Sequence, residues 1–274
     1  MLGRDLTAVY RDQDLLLPGE DQLDITREEE VREYIRTMKP ELIINCAAFT
    51  NVDACEDEAY RDKAMEVNGL GPGFLAAGAE ELQIPLVHIS TDYIFGGDKD
   101  GSYEADDQPA PLNAYGESKR LGEAEVRKNC TRAYILRTSW LFGKGGPNFV
   151  RTMLRLGREG KELKVVDDQI GSPTYTRDLA FAIRTLVEEA PYGIYHVTNS
   201  AVCSWYEFAK EIFRQAGIPA RVQPVPSSEY VRPARRPLNS RLSGASLTQA
   251  GISLLRPWQE ALGDYLREEA GYEG

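Results

Sequence analysis

Short runs of branched and aromatic residues recur along the chain, each followed by a longer segment of helical period. Parallel strands need a long return connection, which a helix supplies, so this alternation is the pattern of a parallel sheet with crossover helices. Strands are expected at 6–10 (LTAVY), 41–47 (ELIINCA), 85–90 (PLVHIS), 132–139 (RAYILRTS), 163–167 (LKVVD) and 193–199 (GIYHVTN). Helices are expected near 26–38, 57–83, 115–129, 147–160, 176–189, 203–217 and 257–269. Several of the strands are almost wholly apolar, as they must be when helices cover both faces of a sheet. The fold class is therefore α/β, a doubly wound parallel sheet. Proline and glycine thicken in 219–237, which reads as a long irregular excursion over the surface.

The formal net charge of -11 sets up a field that repels phosphate backbones and anionic lipid, which argues against a nucleic-acid or membrane partner. An anionic ligand has to be met by a local basic patch. Cys46, Cys55, Cys130 and Cys203 form no CxxC pair and have no histidine at zinc-ligand spacing, so they read as separate free thiols of a reducing compartment. No apolar run approaches the roughly 20 residues that span a bilayer, and MLGRDLTAVY lacks a signal-peptide pattern. The expected location is the cytoplasm.

In open parallel sheets ligands bind beyond the carboxyl ends of the strands. The segments there are NCAAFTNVDACE, STDYIFGG and SWLFGKGGPN. Downstream, NAYGESK places Tyr115 and Lys119 four apart, on one face of a helix. An ammonium about 6 Å from a phenol, at an effective dielectric near 20, favours the phenolate by roughly 3 kcal/mol, or about two pKa units. Chance placement of 14 tyrosines among the lysines gives about half a match, and Tyr206 and Lys210 share the spacing, so context has to decide. Tyr115 opens a helix after the turn-like PAPLNA and lies downstream of Thr91, a hydroxyl at a strand's carboxyl end; Tyr206 sits in an apolar stripe with Trp205, Phe208 and Ile212. Thr91, Tyr115 and Lys119 make a set for ketone reduction. Thr91 binds the carbonyl oxygen, Tyr115 protonates it and Lys119 lowers the phenol's pKa, while the hydride comes from a cofactor.

With these residues the chain resembles the extended short-chain dehydrogenase/reductases and, within them, the dTDP-4-dehydrorhamnose reductase family. The matching segments are NCAAFTNVDACE, VNGLGPGFLA, HISTDYIFGG, PLNAYGESKRLGE, LRTSWLFG, VVDDQIGSPTYTRDLA and RPARRPLNSRLS, in the family's order over nearly the whole length. The resemblance implies a Rossmann-like core over 1–145, with later segments around 163–200 returning to it, and a smaller sugar-nucleotide lobe built mainly from 146–274. It implies reduction of the 4-keto group of dTDP-6-deoxy-L-lyxo-4-hexulose by NADPH or NADH. By motif position, Ala47, Ala48, Asn68, Tyr115 and Lys119 lie along the cofactor, with Asp24 and Ile25 near the adenine. Thr50, Val52, Asp92, Tyr93 and Trp140 border the sugar. Asp24 equally suits an N-terminal cap for the helix that follows, Trp140 equally suits core, and His88 and His196 read as packed strand residues. Arg232, Arg235, Arg236 and Arg241 concentrate basic charge, and Arg236 is the expected clamp for the diphosphate, because guanidinium groups bind phosphate through paired hydrogen bonds. RLS departs from the family's pattern, which has an aspartate after the leucine.

The family begins with a buried strand and a Gly-x-x-Gly-x-x-Gly turn, of which this sequence carries only the last glycine, Gly3. The expectation is a reading frame that extends upstream, and weak dinucleotide binding by these residues alone. Arg11 suits the extra phosphate of NADPH; Asp12 or Asp14 suits the ribose of NADH. Magnesium and a homodimer are compatible with the family, though no metal ligand is assigned. A non-catalytic nucleotide-binding subunit of the same fold, or an epimerase or dehydratase acting on a related nucleotide sugar, are the competing readings.

Overall fold

The computed structural model describes residues 1–269. Its centre is a four-stranded parallel sheet in the order β1 (Ile43–Asn45), β2 (Leu86–Thr91), β3 (Ala133–Thr138) and Gly193–His196. Alternation along the strands feeds two cores. Leu86 and Ile135 point to helices α2 (Glu28–Met38), α4 (Gly71–Glu81) and α5 (Ala114–Asn129), meeting Val31, Ile35, Ala76 and Val126. Val87 and Leu136 point the other way, to α1 (Leu2–Val9) and α7 (Thr176–Glu189), meeting Leu6, Leu179 and Ile183. A third cluster lies outside the sheet, where Phe142, Phe208, Phe213, Trp258 and Tyr265 pack between α6 (Phe149–Arg158), α8 (Trp205–Ala216) and the helix Trp258–Glu269.

Three expectations change. The segment 6–10 is not a strand: it belongs to α1, whose buried residues Leu2, Leu6 and Val9 follow helical spacing and pack on α7. A five-residue window rich in Val and Tyr hid that period. Asp12 consequently lies just past a helix and pairs with Arg184 of α7 through two bonds of 2.9 Å. The strand Leu163–Val166 forms, but it pairs with Val222–Val225 in a separate two-stranded sheet. The excursion 219–237 therefore contains a strand. Among the described residues β1 pairs on one side only, and Leu15, Leu16 and Leu17 are exposed in an irregular segment.

One ion pair is wholly internal. Arg137 of β3 and Glu123 of α5 make two parallel bonds of 2.9 and 2.8 Å with side chains 2% and 5% exposed. Ser90 donates to the same carboxylate at 2.5 Å, and the remaining arginine amine donates to the Ala105 carbonyl at 2.9 Å. Removing one member strands the other charge in low dielectric. Glu123→Gln is expected to cost about 3 kcal/mol or more in urea unfolding, while Glu123→Leu with Arg137→Met recovers most of that loss.

Candidate active site

Helix α5 is set by its first residues. Asn113 caps it, accepting from the Gly116 amide at 2.8 Å, and Glu56 accepts from the Ala114 amide at 2.8 Å. Gly116 lets the helix lie against the loop after β2, because a Cβ there would overlap the Tyr93 carbonyl oxygen. The close approach places Tyr115 near Thr91, whose hydroxyl acts on the phenol. One turn on, Lys119 is 2% exposed and donates to the Ile89 carbonyl at 2.6 Å, two residues before Thr91 on the same strand. The three residues converge on the carboxyl end of β2. Tyr206 and Lys210 do not resemble them: Lys210 is exposed and lies over the Tyr206 ring at 5.2 Å.

The electrostatics differ from the simple spacing argument. Burial pushes the Tyr115 phenol up, the Asp92 carboxylate adds to the rise, and the Thr91 hydroxyl opposes it. Lys119, its ammonium turned to a backbone carbonyl, is not among the leading influences on the phenol. Burial brings Lys119 itself down to about 8, against the pull of Glu123. Tyr115 is thus held protonated at neutral pH, which is the form that an acid must have.

Asp92 is 2% exposed and accepts from the Thr91 hydroxyl at 3.0 Å. Burial raises its carboxyl to about 6, against the Thr91 bond and the nearby Ser240 hydroxyl. Tyr93 stands edge-on to Tyr115, ring centroids 5.9 Å apart. Trp140, the second residue after β3, has φ +49°, a left-handed conformation that costs a bulky residue energy. Its indole is stacked on Trp205 at 3.7 Å and lies over Gly171, where a Cβ would come within 2.8 Å of the ring. Thr50 is exposed and Val52 half-buried in the loop after β1. Arg236 reaches that loop, its Nη1 donating to Asp53 at 2.6 Å.

The expected cofactor contacts divide. Ala47 and Ala48 follow β1 with small side chains, Ala47 exposed. Cys46, between them and β1, is exposed. Gly3 is exposed on the first turn of α1. Asn68 is fully buried on a five-residue π-helical turn (Glu66–Leu70) between α3 (Glu58–Met65) and α4, where it pairs with both the Phe49 amide (2.8 Å) and carbonyl (2.9 Å) and donates to Ser118 (3.0 Å), bracing the loop after β1. Asp24 does not cap α2, which starts after Arg27; it closes a turn on the Thr26 amide and hydroxyl at 2.9 and 2.7 Å. Ile25 packs against Gly71 and the core beside α4. His88 and His196 are buried, and burial pushes both rings down, holding them neutral. No group of three or more His, Cys, Asp or Glu among the described residues is placed to hold a metal, and no helix there is long and apolar enough to cross a membrane.

Asp53, Asn113, Trp205 and Ser240 were not singled out as site residues by the sequence. Asn113 carried a signal, an amide just before a helix; the other three join the site only through distant neighbours.

A strand-end hydroxyl facing a tyrosine and a lysine on the next helix, over a parallel sheet, defines a short-chain dehydrogenase/reductase, and similarity narrows the class. The chain matches the family described as RmlD substrate binding domain over residues 1–270. It is 42% identical over 277 residues to a dTDP-4-dehydrorhamnose reductase of Mycolicibacterium smegmatis, covering 99% of this chain and 84% of that protein. It is 45% identical over 248 residues to a spore coat polysaccharide biosynthesis protein of Bacillus subtilis, covering 90% and 86%. A solved dTDP-4-dehydrorhamnose reductase of Bacillus anthracis in complex with NADP superposes with a TM-score of 0.94 at 41% identity, covering 97% of this chain and 95% of that one. The chain belongs to the dTDP-4-dehydrorhamnose reductase family.

Asp92 yields a test of the site's burial. Its carboxyl takes a proton near pH 6 when folded and near 3.8 otherwise, so the fold is favoured below pH 4 and loses that advantage as pH rises through 6. Asp92→Asn is expected to stabilise the protein by up to about 3 kcal/mol at pH 8, with the gain vanishing by pH 4 in denaturant titrations.

Proposed function

We propose that the protein reduces the 4-keto group of dTDP-6-deoxy-L-lyxo-4-hexulose to the hydroxyl of dTDP-L-rhamnose, with NADPH as the reductant. The observation that carries the reading is the convergence of Tyr115, Thr91 and Lys119 on one strand end, with the phenol held protonated near the Thr91 hydroxyl. The open, small-residue end of β1 suits a flat dinucleotide edge. Ala47, Ala48 and Lys119 would hold its nicotinamide half, with the first turn of α1 toward its phosphates. When bound, the dinucleotide supplies the hydride that no side chain provides.

The chain's own groups do the rest. Thr91 and Tyr115 bind the ketone oxygen, and the phenolic proton passes to that oxygen as negative charge develops on it. Lys119, turned to the Ile89 carbonyl, serves the cofactor side and leaves the phenol to burial and Asp92. Asp92, ionised above pH 6, keeps the phenol protonated until the oxygen is basic enough to take the proton. Trp140, braced by Trp205, offers a flat face to the sugar ring, and Arg236 meets the diphosphate. The cluster around Phe208 and Trp258 serves as the core of the substrate lobe.

Tyr115→Phe removes the proton donor and little else. It is expected to lower ketone-dependent NADPH consumption by about 10²-fold or more while dTDP binding, read by calorimetry, stays within about twofold. A Phe variant with unimpaired turnover, or no net NADPH consumption with any 4-keto nucleotide sugar, overturns the reading.

A further inference from the structure

The segment that carries Arg236 is tied down at three points, two of them on one carboxylate. Asp53, in the loop after β1, accepts from Arg236 Nη1 at 2.6 Å and from the Ala234 amide at 3.2 Å. Asn113, the cap of the helix that carries Tyr115, donates to the Arg235 carbonyl at 2.7 Å. At and just after these ties Ala234 and Pro237 are buried, while Val231, a few residues before, is 86% exposed. The chain thus passes from an unsupported stretch to a fixed one at the residue where basic charge enters the crevice.

We propose that Asp53 is the positioning residue of the nucleotide-sugar clamp, holding the 232–237 segment and the Arg236 guanidinium in the orientation that receives the diphosphate. The proposal rests on the reading of Arg236 given above and adds to it the group through which that arginine works. Its physical basis is preorganisation. A free arginine loses much of its rotamer freedom when it grips an anion, and one already fixed by an ion pair and a neighbouring backbone bond has lost it beforehand. The recorded bonds to Asp53 and to the Ala234 carbonyl at 2.7 Å both use Nη1. Arg236 in turn holds the Asp53 carboxyl below the usual range, and the Tyr93 phenol lies against the same guanidinium. Asp53 is also one residue from Val52 and three from Thr50, the expected sugar contacts. One carboxylate thereby sets the spacing between the sugar end and the diphosphate end of the substrate.

A rival role exists for an acid beside an anion site: Asp53 competing with the diphosphate for Arg236. The two make opposite predictions. With dTDP as the calorimetric probe and the nucleotide sugar in steady-state assays, Asp53→Ala is expected to weaken dTDP binding and raise the sugar-nucleotide KM about tenfold or more, with kcat and the KM for NADPH within about threefold of the parent. Asp53→Asn, which keeps an acceptor for Ala234 and Arg236, is expected to recover most of the affinity. In a background of Arg236→Ala, already weakened, Asp53→Ala is expected to add little, since both act through one guanidinium. Tighter dTDP binding by Asp53→Ala, or fully additive losses in the double variant, overturns the proposal while leaving the clamp intact. Unchanged dTDP affinity in Arg236→Ala overturns the clamp itself, and with it this role for Asp53.

Discussion

The close seating of α5 on the sheet governs the rest of the structure. Two positions on this helix have no room for a side chain: at Gly116 a Cβ would overlap the Tyr93 carbonyl, and at Gly122 the Asn68 carbonyl. That contact lets Lys119 reach a backbone oxygen of β2 and puts Tyr115 beside Thr91. Lower on the same face, Glu123 meets Arg137 and Ser90. The helix is thus fixed by a buried ion pair at one level and carries Tyr115 and Lys119 at the next, so their placement inherits its precision from packing and not from the loops.

Charge is distributed around this contact in a way that suits reduction. Burial alone pulls Lys119 toward neutrality and holds Tyr115 protonated, and Asp92 strengthens the second effect. A phenol primed in this way gives up its proton only when an oxygen beside it becomes strongly basic, as a ketone oxygen does when hydride reaches its carbon. The Trp140 backbone strain fits the same logic. An unfavourable φ is kept because the Trp205 stack and the bare surface of Gly171 hold the ring where it is.

How far the sequence could be read varied with distance along the chain. Seven helices were legible from their period, and five of six strands from their composition. The exception, 6–10, failed because a short window of branched residues looks alike in a strand and on the buried side of an amphipathic helix, and only the longer spacing from Leu2 through Leu6 to Val9 separates them. The convergence of Thr91, Tyr115 and Lys119 was legible because two of them share one helix turn and the third ends a strand. For Asn68, expected along the cofactor, nothing local announces that its amide staples Phe49 to Ser118.

What the sequence determined by itself was the alternation of elements, the acidic net charge, and the identities of the groups that can move a proton. These depend on neighbours within a few residues or on sums over the whole chain. Only the tertiary structure decided that Asp53 meets Arg236, that Trp205 backs Trp140, and that Lys119 turns to Ile89 and leaves the phenol to burial and Asp92. Those outcomes depend on which surfaces the close packing of α5 and the distant C-terminal segments bring into contact, and no local pattern carries that information.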